Sequence, residues 1–396
     1  MSHIIQNTVQ QNTLKDALRQ KKYKQSPDAA YALVDEIEEA LKNGEAKFVK
    51  ATRNYLVVGD ASYEAGNFST PSIGELKKQH NGLTDAHVNL IVMYPDTNAT
   101  LEYKEPSNNI VNLINTSDSY TAYQLASQFN CLEAPYHLSL VGVAEYFHDH
   151  TQGPQGAIQA FPGALLRHYA APCPEFGFGS TFVQNEKMQL NLLSDVLSPQ
   201  HTKSVDEHGH ECTYLEPSVG RLINGYLLEE GIYDEQGLLY SLINNFDKIK
   251  VGLHEDIEVP FAKTLPGYAK HKTTQILTST ICLDTFTELT DTVKGIMTRL
   301  LRAAYLGTIL AANRAGKGNL VLTLIGGGVF HNPQSYIWNA IFWAIKEATP
   351  FLNDDMDIYV NCLHNPITDP TFGDKALNNV SDTYGIPFKY LVMPII

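Results

Sequence analysis

Hydrophobic and polar positions fall into two kinds of pattern along this chain. Apolar residues recur at helical spacing through AAYALVDEIEEALKNG, after Ser26-Pro27-Asp28, which can cap and start a helix, and before Gly44, a plausible stop. The same spacing returns in TVKGIMTRLLRAAYLGTILAANRAG and SYIWNAIFWAIKEA and predicts helices there. Short apolar runs predict strands: NYLVVGD and HVNLIVMYP around a polar connection, then TQILTSTICL, NLVLTLI and DIYVNCL. A small helix and strand close the chain. YTAYQLASQFNCLEA reads as a helix, or a helix running into an extended end, and QGPQGAIQAFPGALLRHY as a helix apart from Pro162. Between about residues 170 and 271 the pattern loosens. There STFVQNEKMQLNLLSDVL predicts one long or two short strands, VDEHGHECTYLEP a loop, VGRLINGYLLEEG a helix, and IKVGLHEDIEV a strand followed by a turn.

Strands alternating with helices on both sides of that stretch predict an α/β chain with a largely parallel or mixed sheet covered on both faces. The expected organisation is a helical extension over residues 1–44, one domain over 45–396, and a large insertion at 170–271.

Composition changes this picture mainly by exclusion. A formal charge of −14 argues against partners bound through phosphate neutralisation, such as nucleic acid or an anionic membrane surface. An isolated anionic ligand can still be held by backbone amides. The five cysteines are far apart and show no paired metal-ligand spacing, which favours a reducing compartment. The first residues lack the apolar run of a signal peptide, and no window reaches the length of a membrane span. A cytoplasmic place follows, with export by a route that needs no N-terminal signal left open.

In a sheet of this kind, ligands gather at the carboxyl ends of strands. TLIGGGVFHNP lies there: Gly326, Gly327 and Gly328 would let the backbone pass close to a diphosphate, with Val329 and Phe330 beside it, the ring able to cover a sugar or base. A tight strand-to-helix turn is the alternative. Gly153 and Gly156 form a second glycine-bearing loop before a helix. Neither loop fits the nucleoside-triphosphate or the dinucleotide fingerprint. Gln128, Asn130 and Glu133, followed by His148, Asp149 and His150, add polar groups; the amides suit ribose hydroxyls, and the carboxylates suit a water or a ribose. In CLDTFTELTD, Asp284 and Glu288 share a helical face and Asp291 either joins them or caps the next helix. The histidine pair and HGHEC lack matching ligands elsewhere, so no metal is expected.

The loops together carry a resemblance. QLASQFNCLEA, HDHTQGPQGAIQAFPGALLRHY, TQILTSTICLDTF, LRAAYLGTILAA and NLVLTLIGGGVF, in this order, resemble the macrodomain superfamily of ADP-ribose-binding modules, in a divergent branch near the poly(ADP-ribose) glycohydrolases. That branch includes a bacterial effector that removes ADP-ribose from an arginine of ubiquitin. The paired glutamates after glycines that mark the polymer-cleaving enzymes are missing. The resemblance therefore implies a macrodomain-like α/β/α sandwich that binds ADP-ribose and removes a single one from a protein side chain, arginine favoured and ubiquitin a candidate. It implies Gln128 and Asn130 beside the nicotinamide-side ribose, Asp149 and Gln275 among the ligand contacts, Gly153 and Gly156 in the first loop, and Gly326 to Phe330 in the second. Asp284 is the expected base, with Glu288, Asp291 and Glu133 as further catalytic candidates. No cofactor is required, although the acidic groups leave room for magnesium, and a monomer acting on ADP-ribosylated protein, without nucleic acid or membrane, is expected. A non-catalytic reader and an NAD-using transferase are the alternatives.

Overall fold

The computed structural model describes residues 27–79, 85–96, 107–173, 179–197, 201–205, 211–215, 218–262, 269–283 and 288–394. The strands in chain order are β1 (Ala46–Lys50), β2 (Asn54–Val58), β3 (Ala61–Ser69), β4 (Val88–Pro95), β5 (Thr121–Ala126), the short antiparallel pairs β6 (Ala171–Pro172) with β7 (Thr181–Phe182) and β8 (His201–Val205) with β9 (Glu211–Leu215), then β10 (Gly252–Glu258), β11 (Lys272–Thr278), β12 (Asn319–Thr323), β13 (Met356–Asn361) and β14 (Phe388–Met393). Ten of them form one mixed sheet in the order β1-β2-β3-β10-β11-β5-β12-β13-β4-β14. From β11 to β14 neighbours run parallel, while β1, β2, β3 and β10 add an antiparallel edge.

Helices cover both faces. Asp291–Arg314, Gln334–Ala348, Glu235–Asn244 and Asp374–Tyr384 pack on one, and Pro27–Lys42, Ile110–Thr116, Gln152–Gln159 and Phe161–Tyr169 on the other. Successive residues of β4 show the two cores: Leu90 and Val92 enter the first, Ile91 and Met93 the second. The expected three-layer α/β/α sandwich with a mixed sheet is therefore what the chain forms. The first helix is stitched on by Glu38, a buried carboxylate that accepts from the amides of Val143 and Ala144 at 2.9 Å each and from the Tyr169 hydroxyl at 2.6 Å.

Several local expectations need correction. Thr121–Ala126, read as helix, is the strand β5; a central parallel strand is apolar on both faces, so its short run has no period to betray it. VGRLINGYLLEEG is not a helix but a tight turn, closed by the Ile223–Tyr226 bridge, with Asn224 and Gly225 at φ 45° and 84°. Two positive φ values in succession are what an Asn-Gly hairpin turn needs, and that dipeptide was the overlooked signal. Residues 183–197 hold a turn and the short helix Ser194–Leu197 rather than long strands, and Glu211–Leu215, expected as loop, pairs with β8. The supposed polar connection before HVNLIVMYP contains β3. The stretch from 170 to 271 ends inside the main sheet, since β10 lies between β3 and β11.

Candidate functional site

The sheet opens at one seam. β5 pairs with β12 only as far as Tyr123 opposite Val321, whereas on its other side it stays with β11 to Ala126 opposite Thr278. Two glutamines take over the missing ladder. Gln152, the first residue of its helix, accepts from the Ala126 amide at 2.9 Å and donates to the Gln124 carbonyl at 2.8 Å. From the other face, the buried Gln124 side chain donates to Thr308 at 2.9 Å and accepts from the Thr323 amide at 3.3 Å. Strand ends that part in this way leave a crevice between their loops, which is where α/β sheets receive ligands.

The loop after β12 forms one wall. Asn332 clamps it, donating to the Ile281 carbonyl at 2.9 Å and the Phe330 carbonyl at 2.8 Å, while its own amide donates to Gly326 at 2.9 Å. Leu283, leaving β11, donates to the Phe330 carbonyl at 3.1 Å, so the segments are joined backbone to backbone. Within this frame the amides of Gly328, Val329 and Phe330 find no acceptor among the described residues. Gly326, at φ 75°, turns the chain where a Cβ would meet Thr280 at 2.6 Å, whereas a Cβ on Gly328 would meet nothing within 4 Å. The two glycines thus serve different ends, one the turn and the other an open face.

The opposite wall is the N-terminus of helix Gln152–Gln159, whose cap residue Thr151 supplies no side-chain hydrogen bond. Pro154 has no N–H and the Gln155 amide donates to the Thr151 carbonyl at 3.2 Å, which leaves the amides of Gln152 and Gly153 as the ones of the kind that bind anions. Gly153 lets this end approach β5: a Cβ there would stand 1.9 Å from the Ala126 carbonyl and 2.6 Å from Oε2 of Glu133. Gly156 likewise makes room for Leu125, so the open sides of both glycines face protein.

Beneath this end lies Glu133. It is 1% exposed, and its Oε1 has no hydrogen-bond partner. Burial pushes its carboxyl well above the usual range, against the Arg167 guanidinium and the Ser127 hydroxyl, which pull it down; Asp149 adds to the rise. Below the ordinary glutamate range the folded and unfolded chains both hold this proton, and as pH rises the unfolded chain releases it first, so stability falls toward the folded-state value. Glu133→Gln removes that loss. Urea unfolding should find the variant more stable than wild type at pH 8 and the two converging near pH 4; a variant less stable at pH 8 would show Glu133 ionised and structurally needed instead.

Tyr226, from the Asn-Gly turn, links the walls. Its ring lies 5.5 Å from that of Phe330, and its hydroxyl donates to the Ala134 carbonyl. That hydroxyl is held above its ordinary range by burial first, then by Glu133, Cys282 and Asp149, so these groups share one neighbourhood.

The residues singled out in the sequence fare differently. Gly326 to Phe330, Gly153 and Glu133 come together around the seam. Half-buried Asp149 stands just before the helix and accepts from the Thr151 amide at 2.8 Å. Asn130, expected beside a ribose, is instead fully buried, accepting from the Leu132 amide at 3.0 Å and donating to Gln189 at 2.9 Å. Gln128 closes the same loop by accepting from the Ala134 amide at 3.0 Å, and Gln275 donates to the Gly156 carbonyl at 2.8 Å from within the sheet. These three amides build the walls rather than line the groove. Asp291 begins the long helix with its side chain fully exposed, 3.2 Å from Lys294, and Glu288 is exposed one turn earlier, so both belong to a solvated helix start that Thr290 caps. Asp284 lies outside the described residues, directly after Leu283. Among the described residues, no group of three His, Cys, Asp or Glu is placed to hold a metal, and no helix is long and apolar enough to cross a membrane. Gln152, Tyr226 and Arg167 were missed. The sign of Arg167 was a lone cation before His168 in an otherwise apolar helix, FPGALLRHY.

No family model matches the chain, and no curated protein does. Among solved structures it is similar to the poly(ADP-ribose) glycohydrolase of Thermomonospora curvata, at 12% identity, covering 90% of this chain and 99% of that one, with a TM-score of 0.38. It is also similar to the apo form of the Deinococcus radiodurans poly(ADP-ribose) glycohydrolase, at 12% identity, 81% and 94% coverage and a TM-score of 0.34. The same enzyme in complex with ADP-ribose gives 12% identity, 80% and 94% coverage and 0.35. These are distant likenesses of arrangement.

Proposed function

We propose that this chain is an ADP-ribose-binding hydrolase that removes a single ADP-ribose from a protein side chain, with arginine the favoured acceptor and ubiquitin a candidate carrier. The observation that carries the proposal is the pair of amide-bearing ends at the opened β5–β12 seam: the amides of Gly328 to Phe330, which find no acceptor among the described residues, and those of Gln152 and Gly153 at a helix start that its cap residue Thr151 leaves without a side-chain hydrogen bond. Together they suit a diphosphate in a chain whose charge of −14 offers little else to an anion. The order of motifs shared with macrodomains adds the sugar-nucleotide identity.

Cleavage of an N-glycosidic bond develops positive charge at the ribose carbon and needs a water on the opposite face. Asp284 is the proposed water-orienting base. The described chain just before it is tied to the glycine loop, the Leu283 amide donating to the Phe330 carbonyl at 3.1 Å. Glu133, buried under the facing helix end, is the second carboxyl and the fallback base, with Asp149 next to it. The proton taken from water goes to the carboxylate, and the water oxygen forms the new bond to the ribose carbon as the ribose C–N bond breaks, its electron pair leaving with the guanidine. The guanidine departs neutral from the guanidinium of the substrate and then takes up the proton that the carboxyl returns through solvent.

Calorimetry with ADP-ribose, alongside incubation with NAD, tests this reading. Binding in the micromolar range or tighter, with no nicotinamide released from NAD, is expected. Nicotinamide release would favour the transferase, and no ADP-ribose binding would remove both hydrolase and reader.

A further inference from the structure

The loop that carries Glu133 is held from inside the core by a cation. Arg167 is 1% exposed, donates from Nε to the Cys131 carbonyl at 3.1 Å, and points Nη1 at Nδ1 of His254, 3.0 Å away. Nε2 of the fully buried His254 lies 2.7 Å from the Ala65 carbonyl, so the ring donates there and its Nδ1 accepts from the guanidinium. This tautomer leaves the histidine neutral, and burial, then the Arg167 charge, depresses its proton affinity further. Gln184 completes the clamp, donating to the carbonyls of Asn130 at 3.1 Å and Arg167 at 2.9 Å. The clamped backbone is itself unusual: Cys131 has φ 61°, a left-handed conformation costly for a residue with a side chain.

A buried guanidinium is expensive unless compensated. Among the described residues no carboxylate comes within ion-pair distance of it. The buried carboxyl of Glu133 is two residues beyond the carbonyl that Arg167 holds. The other ionisable groups near Glu133 are Tyr146, whose hydroxyl oxygen accepts the Glu133 amide at 3.0 Å, Asp149, Tyr226, and Cys131 on its own loop. Arg167 is the one cation of the set.

We propose that Arg167 is the positioning residue of this site: it fixes the strained turn that presents Glu133 and supplies the positive field in which that carboxyl exchanges its proton. The inference builds on the hydrolase reading for its purpose, but its test does not need turnover. Infrared difference spectra between wild type and Glu133→Gln isolate the carboxyl stretch of Glu133, whose pH midpoint is then followed in Arg167→Met and Arg167→Lys. In the methionine variant the midpoint should rise by about one pH unit or more, the lower end of what a close opposite charge contributes. The lysine variant, which keeps the charge but loses the fork, should stay near the wild-type midpoint while ADP-ribose release slows. An unchanged midpoint in a folded Arg167→Met protein overturns the proposal. If that variant does not fold, the lysine variant decides, and a midpoint that rises despite the retained charge overturns it. Failure to release ADP-ribose in wild type would sink the hydrolase reading and leave the midpoints to judge Arg167 alone.

Discussion

Gly328→Glu is expected to fold as the wild type does and to bind ADP-ribose at least about 100-fold more weakly, roughly 2.8 kcal/mol. A Cβ at this position meets nothing within 4 Å, so the side chain enters open space beside the unpartnered amides rather than the core. There a carboxylate takes the ground of a diphosphate and repels it, and like charges placed together cost several kcal/mol. Gly326→Ala is the contrasting control. At φ 75° any side chain costs about 1–2 kcal/mol in the backbone alone, and the new methyl would also sit 2.6 Å from Thr280. That variant should therefore melt earlier. Calorimetric titration and thermal unfolding of both proteins separate the two effects. If Gly328→Glu binds as tightly as wild type, the loop does not hold the diphosphate.

The second large effect is on stability. Gly153→Ala should lower the melting temperature, although alanine is the better helix former by about 1 kcal/mol. The added methyl would lie 1.9 Å from the Ala126 carbonyl, a backbone atom of the central strand that cannot rotate away. Overpacking of this kind costs about 1–3 kcal/mol or more. Moving the helix to relieve it would also break the paired hydrogen bonds of Gln152 to β5. The clash outweighs the propensity, and differential scanning calorimetry reads the sign. A melting temperature equal to or above that of wild type would mean that the helix end is not packed against β5 as described.

Much of this architecture was legible because periodicity survives where one face of an element meets solvent or a single core. The helices Pro27–Lys42, Asp291–Arg314 and Gln334–Ala348 were all readable from spacing. β5 was not, since its sides face two different cores and its sequence carries no alternation. The turn at Asn224-Gly225 was hidden inside an apolar run that mimicked a helix.

The site was legible in part for a similar reason. Three consecutive glycines after a strand announce close approach, but not which glycine turns the chain and which faces the open side; backbone angles and neighbours decide that. Polar residues near the loops looked alike in sequence. Burial divides them: the side-chain amides of Asn130 and Gln128 are consumed by the protein at both ends, while Glu133 keeps an unpartnered oxygen. Arg167 and His254 lie 87 residues apart, and only the packing of their elements reveals the pair.

The most direct test is release of ADP-ribose from an arginine-ADP-ribosylated protein, ubiquitin among the substrates, followed by mass spectrometry with wild type, Asp284→Ala and Glu133→Gln in parallel. Release by wild type is predicted, with loss of turnover but retained ADP-ribose binding in Asp284→Ala. Binding without release from arginine-, serine- or glutamate-linked substrates would contradict the account and make the chain a reader of ADP-ribosylation.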